Sequence, residues 1–184
     1  MKKQRGLTLL EVMMALAVGA ILVAVGVPSF VATIRNSEMT SAANGLVGAL
    51  YATRSEAVKR RTRVTMCRAE TISGTTSCDP TGSELAVFSN TGNDATIDLG
   101  SGDVLIRVTP WLIDNITVSS STVPPAFSFN ASGFTRGLTG NTVSGDIMLC
   151  GPRGNEGARI ITLAPTGRPM VRNHADVTGA TSCS

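Results

Sequence analysis

The stretch that decides the fold runs from residue 5 to residue 28 and reads RGLTLLEVMMALAVGAILVAVGVP. Its apolar run, from Leu7 to Val27, is about as long as the ~20 residues that a helix needs to cross a bilayer. The only polar side chains in that run are Thr8 and Glu11. A bare carboxylate in hydrocarbon costs roughly 2.5–3.5 kcal/mol or more. The sequence therefore predicts a membrane-spanning helix in which Glu11 needs an explanation.

The residues before and after this run indicate how it is used. The basic leader at residues 1–6 holds that end of the helix in the cytoplasm. A cleaved secretory signal peptide is one interpretation. However, apolar residues keep recurring at three- and four-residue steps as far as Val58, with polar residues between them. We therefore predict one helix from Leu7 to about Arg61, apolar all round over residues 7–28, amphipathic over residues 29–61, and kinked or loosened by Pro28.

After this helix the hydrophobic period changes to two residues, which is typical of β-strands. Seven such stretches, separated by turn-forming residues, are followed by a weaker eighth. They lie at 63–68, 85–89, 104–109, 115–119, 126–130, 145–150, 159–164 and 168–172. Short strands at this spacing favour antiparallel sheets packed on the amphipathic half of the helix. The predicted fold class is α+β, with a head of about seven to eight antiparallel strands at residues 62–184.

The charge of the chain is unevenly distributed. The formal charge of +3 comes from Lys2, Lys3 and Arg5, because the remaining 13 basic residues are balanced by 13 acidic ones. The net charge therefore does not indicate general nucleic-acid binding.

The four cysteines, Cys67, Cys78, Cys150 and Cys183, all follow the apolar run. An even number behind an export-type N-terminus favours two disulfides in an oxidising compartment. The sequence permits three pairings, of which nearness favours Cys67–Cys78 and Cys150–Cys183, and buried free thiols are the alternative. A zinc site is poorly supported, because there is no C-x-x-C pair and the chain has a single histidine.

The head carries little that is typical of an active site. His174 alone would have to serve any catalytic triad. The stretch GPRGNEG at 151–157 lacks the Lys-Ser/Thr ending of a phosphate-binding loop. We interpret Asp94 and Asp98 as solvated turn residues and not as an acid–base pair or a calcium site. The prediction is a protein with no catalytic residues, no cofactor and no metal.

The quoted stretch resembles the start of type IV pilins and pseudopilins. These proteins share a short basic leader that ends in glycine, followed by a Phe-Thr-Leu-Ile-Glu-like beginning of an apolar helix. The match here is Gly6 and then LTLLE at 7–11, with Leu7 in place of the usual Phe. Pro28 stands where these helices commonly carry a proline. The end of the helix, ATRSEAVKRRTRVTMC at 52–67, resembles the GspH/FimT family of minor pilins and pseudopilins, whose fold is a long helix with a two-sheet β head.

The resemblance implies how the N-terminus is processed. A membrane-embedded prepilin peptidase would cut between Gly6 and Leu7 and N-methylate the new terminus at Leu7. Glu11 would then attract the terminal amine of a neighbouring subunit, so that assembly gives a costly charge a partner. The implied partners are this peptidase and N-methyltransferase and other major and minor pilins. The implied location is the bacterial inner membrane, with a single pass and a periplasmic head, and then the pilus at the cell surface.

The resemblance also raises a hypothesis about DNA. Members of the family linked to natural transformation bind DNA through a C-terminal Gly-Arg-x-Arg motif. Here the text is GRPMVR at 167–172, so that the second arginine, Arg172, follows Arg168 two residues late. Arg153 and Arg159 add positive charge nearby, although arginines also serve to protect strand edges from aggregation. The expected function is a minor pilin that supports pilus assembly, with capture of double-stranded DNA as a further expectation. The alternative is a pseudopilin of a type II secretion system with a structural role.

Overall fold

The structure is a computed structural model that describes residues 9–92, 94–111, 116–120, 122–177, 179 and 182–183, without the side chains of Val25, Pro28 and Ser120. It divides into two compact units, Met1–Ser37 and Glu38–Ser184. Helix α1 contributes to both units and runs from Leu9 to Arg60. The expected start of the helix at Leu7 and the expected effect of the Pro28 ring lie outside the described residues.

In the first unit, helix α1 exposes its apolar side chains. Leu16, Leu22 and Phe30 are each more than three-fifths exposed. Within the described residues, α1 is the one helix that is long and apolar enough to cross a membrane, by length and composition.

In the second unit, the same helix buries one face. The buried residues recur at steps of three and four, which confirms an amphipathic half. They are Met39, Ala42, Ala43, Leu46, Ala49, Leu50, Thr53 and Ala57.

The helix ends in a Schellman motif. The N–H of Thr62 donates to the carbonyl of Ala57 and the N–H of Arg61 donates to that of Val58, both at 3.3 Å. Arg61 adopts φ 53°, the left-handed conformation that glycine usually supplies at this position. The turn sends the chain back along the helix into the first strand.

Ten strands form two antiparallel sheets within the described residues. Sheet A has six strands in the order β4-β3-β1-β6-β7, with β2 paired to β1, and sheet B has the order β10-β9-β8-β5. The strands are β1 Val64–Ile72, β2 Thr75–Cys78, β3 Glu84–Ser89, β4 Val104–Pro110, β5 Thr117–Ser120, β6 Ala126–Phe129, β7 Thr135–Arg136, β8 Gly145–Gly151, β9 Gly154–Leu163 and β10 Pro169–Asn173. Two 3₁₀ turns lie at Leu99–Ser101 and His174–Asp176.

The main core lies between the buried face of α1 and the inner faces of both sheets, where Phe127, Phe129 and Ile161 are fully buried. The outer face of sheet A is also covered. There Phe88 and Cys67 pack against Ile97 and other residues of the loop between β3 and β4. Sheet A is therefore apolar on both faces, which explains the unbroken burial of β3.

The structure adds two strands to those predicted. Strand β2 has polar residues at three of its four positions, and β7 has only two residues, so that neither has an apolar alternation to detect. Strand β9 begins at Gly154, five residues before the predicted start, because the pairing of Gly151 with Gly154 extends the hairpin through a glycine-rich stretch that reads as a turn. Residue 115, the first of the predicted strand 115–119, lies outside the described residues. Ile116 precedes β5, which begins at Thr117.

Candidate functional sites

Glu11 lies in an apolar surface. It occupies the first described turn of α1, and its side chain is exposed among the exposed side chains of Leu10, Val12 and Met14. A carboxylate near a helix N-terminus suits the helix dipole. Gly6 and Leu7, the predicted cleavage residues, lie outside the described residues.

Two disulfides tie strands to their neighbours. Cys67 in β1 is bonded to Cys78 in β2 across the β1–β2 hairpin, with 5.7 Å between the Cα atoms. Cys150 in β8 is bonded to Cys183, also with 5.7 Å between the Cα atoms. The N–H of Cys183 donates to Oδ1 of Asn155 at 2.7 Å, so the tail lies against sheet B. These are the pairings that nearness in sequence favours.

Three of the four arginines predicted to bind DNA have partners within the head, and two of these three, Arg159 and Arg172, lie in strands of sheet B. The guanidinium of Arg172 donates to the hydroxyl of Thr162 at 2.6 Å and lies 3.7 Å from a carboxylate oxygen of Asp146. Arg159 donates to the carbonyls of Gly157 and Ala158. The guanidinium of Arg172 therefore links β10 to β9 and β8, whereas these hydrogen bonds of Arg159 lie within β9.

The other two lie far apart. Arg153 is in the turn between β8 and β9 and pairs with Glu156 at 3.7 Å. Arg168 is exposed in the turn between β9 and β10, just before the strand that was predicted to include it. The ten residues of β9 separate the two turns, which places them roughly 30 Å apart. The four arginines therefore do not form one patch.

The glycine before Arg168 has a structural role. Gly167 adopts φ +76°, and a Cβ there would lie 2.5 Å from the carbonyl oxygen of Gly133. Only glycine fits both the conformation and this approach of the turn to the loop after β6.

A different group of arginines meets at the end of α1. The Nε of Arg54 donates to the carbonyl of Gly133 at 3.1 Å, and Arg63 donates to the carbonyl of Gly137. Burial and the nearby charge of Arg136 both lower the pKa of Arg63. The sequence does not predict this arrangement, because it brings together residues more than 70 positions apart along the chain.

Trp111 is a packing residue that the sequence pattern did not single out. Its Nε1 donates to the carbonyl of Ala42 at 2.8 Å, and a Cβ on Gly45 would lie 3.3 Å from its Cδ1. Gly45, although glycine is unfavourable within a helix, thus leaves room for the indole. The single tryptophan and a glycine on the facing helix were the available signals.

The acidic residues of the loop between β3 and β4 act as turn caps. Asp98 accepts from the N–H groups of Gly100 and Ser101, and its hydrogen bond from the Ser101 hydroxyl holds the pKa of Asp98 below its usual value. Asp94 accepts from the N–H of Thr96 at 3.0 Å. Both arrangements agree with the interpretation of these residues as turn residues.

The described residues of the head form no cluster of side chains that is typical of a metal or catalytic site. Among the described residues, no group of three or more His, Cys, Asp or Glu side chains could hold a metal ion. An apolar cavity of about 200 Å³ beside Trp111 is lined by Leu46, Phe127, Pro124 and similar side chains, with Arg68 as its charged member. That lining contains no nucleophile with an adjacent base.

Comparisons with known proteins agree with this architecture. The profile of the family described as Type II transport protein GspH matches residues 42–167, and that of the Prokaryotic N-terminal methylation motif matches residues 1–27. None of the curated proteins compared with the chain matches it.

Two crystal structures of the type IV minor pilin FimU from Pseudomonas aeruginosa strain PAO1 have a similar fold. One, in space group P21, has 19% identity and a TM-score of 0.60 over 80% of this chain and 96% of that chain. The other, in space group P65, has 18% identity and a TM-score of 0.55 over 79% and 99%. At this identity the likeness concerns the fold alone.

The methylation motif implies processing by a prepilin peptidase and assembly with other pilins. The GspH profile covers most of the chain, including the amphipathic half of the helix and most of the head. The chain therefore belongs to the GspH/FimT family of type IV pilin-like structural proteins.

Proposed function

We propose that this chain is a minor type IV pilin, stored in the inner membrane by its N-terminal helix and then incorporated into a pilus. The observation that supports this most strongly is the exposed apolar surface of α1 with Glu11 in its midst. Such a surface suits lipid before assembly and other helices after it. The head is periplasmic before assembly, which suits its two disulfides.

Processing creates a positively charged terminus that can pair with Glu11. The peptidase removes residues 1–6 and methylates Leu7, and the charged terminus of one subunit pairs with Glu11 of its neighbour. Residues 7–28 then form the membrane and assembly half of the helix, residues 29–61 the amphipathic half, and residues 62–184 the head. The pairing lowers the cost of a carboxylate in an apolar surface.

The test is to express the full chain with its peptidase and to analyse both the protein and the sheared filaments. Mass spectrometry should find a chain that begins at Leu7 and carries one additional methyl group. Glu11→Ala should still be cleaved but should be lost from filaments. Glu38→Ala is the matched control, because it deletes a carboxylate in the second half of the same helix, and it should be incorporated. Normal incorporation of Glu11→Ala would overturn the charge-pairing role.

A type II secretion pseudopilin is the second candidate, because the matching family profile carries that description. Expression of a tagged chain in cells that lack either the pilus machinery or the secretion machinery distinguishes the two. A pilus subunit should disappear from sheared filaments only when the pilus machinery is missing.

DNA capture is a further candidate activity that now depends on Arg168. This side chain is exposed and, among the described residues, forms no hydrogen bond or ion pair. Full-length protein in detergent should shift duplex DNA with an affinity that falls steeply with salt. Arg168→Ala should weaken the shift, whereas Arg153→Ala, which removes an arginine about 30 Å away, should have less effect. Equal effects of the two variants, or no salt-sensitive shift, would contradict this role.

A further inference from the structure

The apolar cavity beside Trp111 lies inside the second unit, between helix α1 and the two sheets. Helix α1 contributes Leu46, sheet A contributes Met66 and Phe127, and sheet B contributes Ile147. The volume of the cavity is about 200 Å³. An engineered apolar cavity of about 150 Å³ is enough to bind benzene. The space therefore accommodates an apolar group of the size of one aromatic ring.

The cavity reaches the surface of the head between three exposed prolines. They are Pro80, Pro124 and Pro125. Because the proline ring fixes φ, these residues form a rim with little freedom to close over the opening. The site is therefore preformed, as is typical of sites that bind small molecules.

Arg68 in β1 is the one charged residue among the described residues that line the cavity. Its N–H donates to the carbonyl of Pro125 at 3.1 Å, and its carbonyl accepts from the N–H of Asp79 at 2.8 Å. The disulfide joins the two residues that directly precede these partners in sequence, Cys67 before Arg68 and Cys78 before Asp79. The backbone of Arg68 is thus fixed against the rim of the cavity.

The guanidinium of Arg68 is held at one edge and available at the other. Its Nε and Nη2 donate to the carbonyl of Gly82 at 3.2 and 3.0 Å. A Cβ on Gly82 would overlap the backbone of Ala69, so this approach requires glycine. Among the described residues, Nη1 has no hydrogen-bond partner. The remaining N–H groups can therefore bind a further acceptor.

The charge of Arg68 forms no ion pair within the described part of the chain. Burial lowers the pKa of Arg68, and the nearby charge of Asp79 raises it. The carboxylate of Asp79 is itself bound by the N–H and the hydroxyl of Thr81, at 2.7 and 2.6 Å. Arginine stays charged in spite of burial, so an anion beside it would offset the cost of that burial.

We infer that this cavity binds a small monocarboxylate whose apolar body is about the size of one aromatic ring. The apolar body occupies the space beside Trp111, and the carboxylate accepts hydrogen bonds from Arg68. The planar guanidinium suits this acceptor because it offers parallel N–H donors. An empty cavity deprives its lining of contacts, which an occupant restores. The inference goes beyond the proposed role as a filament subunit, which does not use the cavity.

The test is a titration of the full chain in detergent with three compounds that share one apolar body. They are 3-phenylpropionate, 3-phenylpropan-1-ol and 3-phenylpropylamine, with an anionic, a neutral and a cationic end. The fluorescence of Trp111, the only tryptophan, reports occupancy because the indole lines the cavity. Isothermal titration calorimetry gives the affinities. Binding to detergent micelles is common to all variants and cancels in their comparison.

Two variants alter the site, and each has a matched control. Arg68→Gln removes the charge, and Arg107→Gln removes an exposed arginine from edge strand β4. Val118→Phe fills part of the cavity from β5, and Val104→Phe adds the same ring at an exposed position of β4. Circular dichroism checks that each variant is folded.

The wild type should bind 3-phenylpropionate with a Kd of about 1 mM or lower, as expected for a ligand of this size. It should prefer the acid to the alcohol by about tenfold or more, because hydrogen bonds to charged groups are the strong ones. The amine should not bind. Arg68→Gln should lose the preference but keep binding the alcohol, and Val118→Phe should bind neither compound. Both controls should behave like the wild type.

Every other outcome decides against the inference. Absence of saturable binding by the wild type, or equal affinities for the acid and the alcohol, would overturn it. An unchanged preference in Arg68→Gln, or unchanged binding by Val118→Phe, would place the ligand elsewhere and would also overturn it. If either variant fails to fold, the preference of the wild type and the other variant decide the question. None of these measurements depends on cleavage or pilus incorporation, so a failure here is distinct from a failure of the proposed function.

Discussion

The two halves of helix α1 have the same backbone conformation and use their apolar side chains in opposite ways. Leu22 in the first half is 68% exposed, whereas Leu50 in the second half is 0% exposed. In the second half, burial follows the three- and four-residue period because one face packs on the head. In the first half, apolar residues occupy every face, which suits an environment that surrounds the helix. The helical pattern alone therefore does not distinguish a segment that packs on its own head from one that is exposed on all sides. The width of the apolar face does.

The largest expected difference between the halves is in stability. Leu50→Ala should lower the free energy of unfolding by about 2–5 kcal/mol, because it leaves a cavity in the main core. Leu22→Ala should change it by less than about 0.5 kcal/mol. Urea unfolding of the full chain in detergent, followed by the fluorescence of Trp111, the only tryptophan, measures both. Similar losses for the two variants would contradict the division of the helix.

Low pH should lower the stability of the head, on which the second half of α1 packs. Burial opposes ionisation of Asp103, but hydrogen bonds from Thr91 and from the N–H of Asp98 outweigh it and lower the pKa of Asp103. Its contribution to stability is therefore present above the unfolded pKa, about 3.9, and is lost as the pH falls through the lower folded pKa.

Asp103→Asn tests this directly. The substitution should cost about 1–3 kcal/mol near neutral pH, because hydrogen bonds to a charged acceptor are replaced by weaker ones. The difference from the wild type should shrink as the pH falls below about 3.9, in unfolding curves recorded across that range. A difference that stays constant with pH would show that the Asp103 charge is not the cause.

Two glycines sharpen the comparison within the second half. Gly48→Ala should raise stability by up to about 1 kcal/mol, because a Cβ there meets nothing within 4 Å and alanine is the better helix former. Gly45→Ala should gain less or become unfavourable, because its Cβ would lie 3.3 Å from Trp111. Gly19→Ala in the first half is the control and should leave urea unfolding of the head unchanged. An equal gain at Gly45 and Gly48 would show that the indole does not need the space.

The smallest expected effect is at the end of the helix. Arg61→Gly should raise the free energy of unfolding by at most about 1 kcal/mol, since glycine adopts the left-handed conformation without the Cβ penalty. Denaturant unfolding compares this variant with Arg60→Gly, which places glycine at a helical position and should not gain stability. A loss of stability in Arg61→Gly would mean that the arginine side chain itself stabilises the head.

The sequence predicts the helix and most strands because their apolar periods are local. It does not predict β2, whose four residues Thr75–Cys78 include three polar ones, or the two-residue β7. The arginines illustrate the same limit at the level of the site. Arg168 and Arg172 are close in sequence, yet Arg172 pairs with Asp146 across sheet B while Arg168 is exposed in the turn before β10. Such partners follow from strand order, which a single sequence does not specify.

The Cys150–Cys183 bond has a mechanical consequence. It closes a ring that contains β9 and β10 completely. A force on the chain near Cys183 would pass through sulfur to β8, which is paired with β9 on one side and β5 on the other. The edge strand β10 therefore could not be peeled away one hydrogen bond at a time from that side. Traction would have to shear the interior of sheet B, and a subunit of a filament under tension would resist unravelling until the bond was reduced.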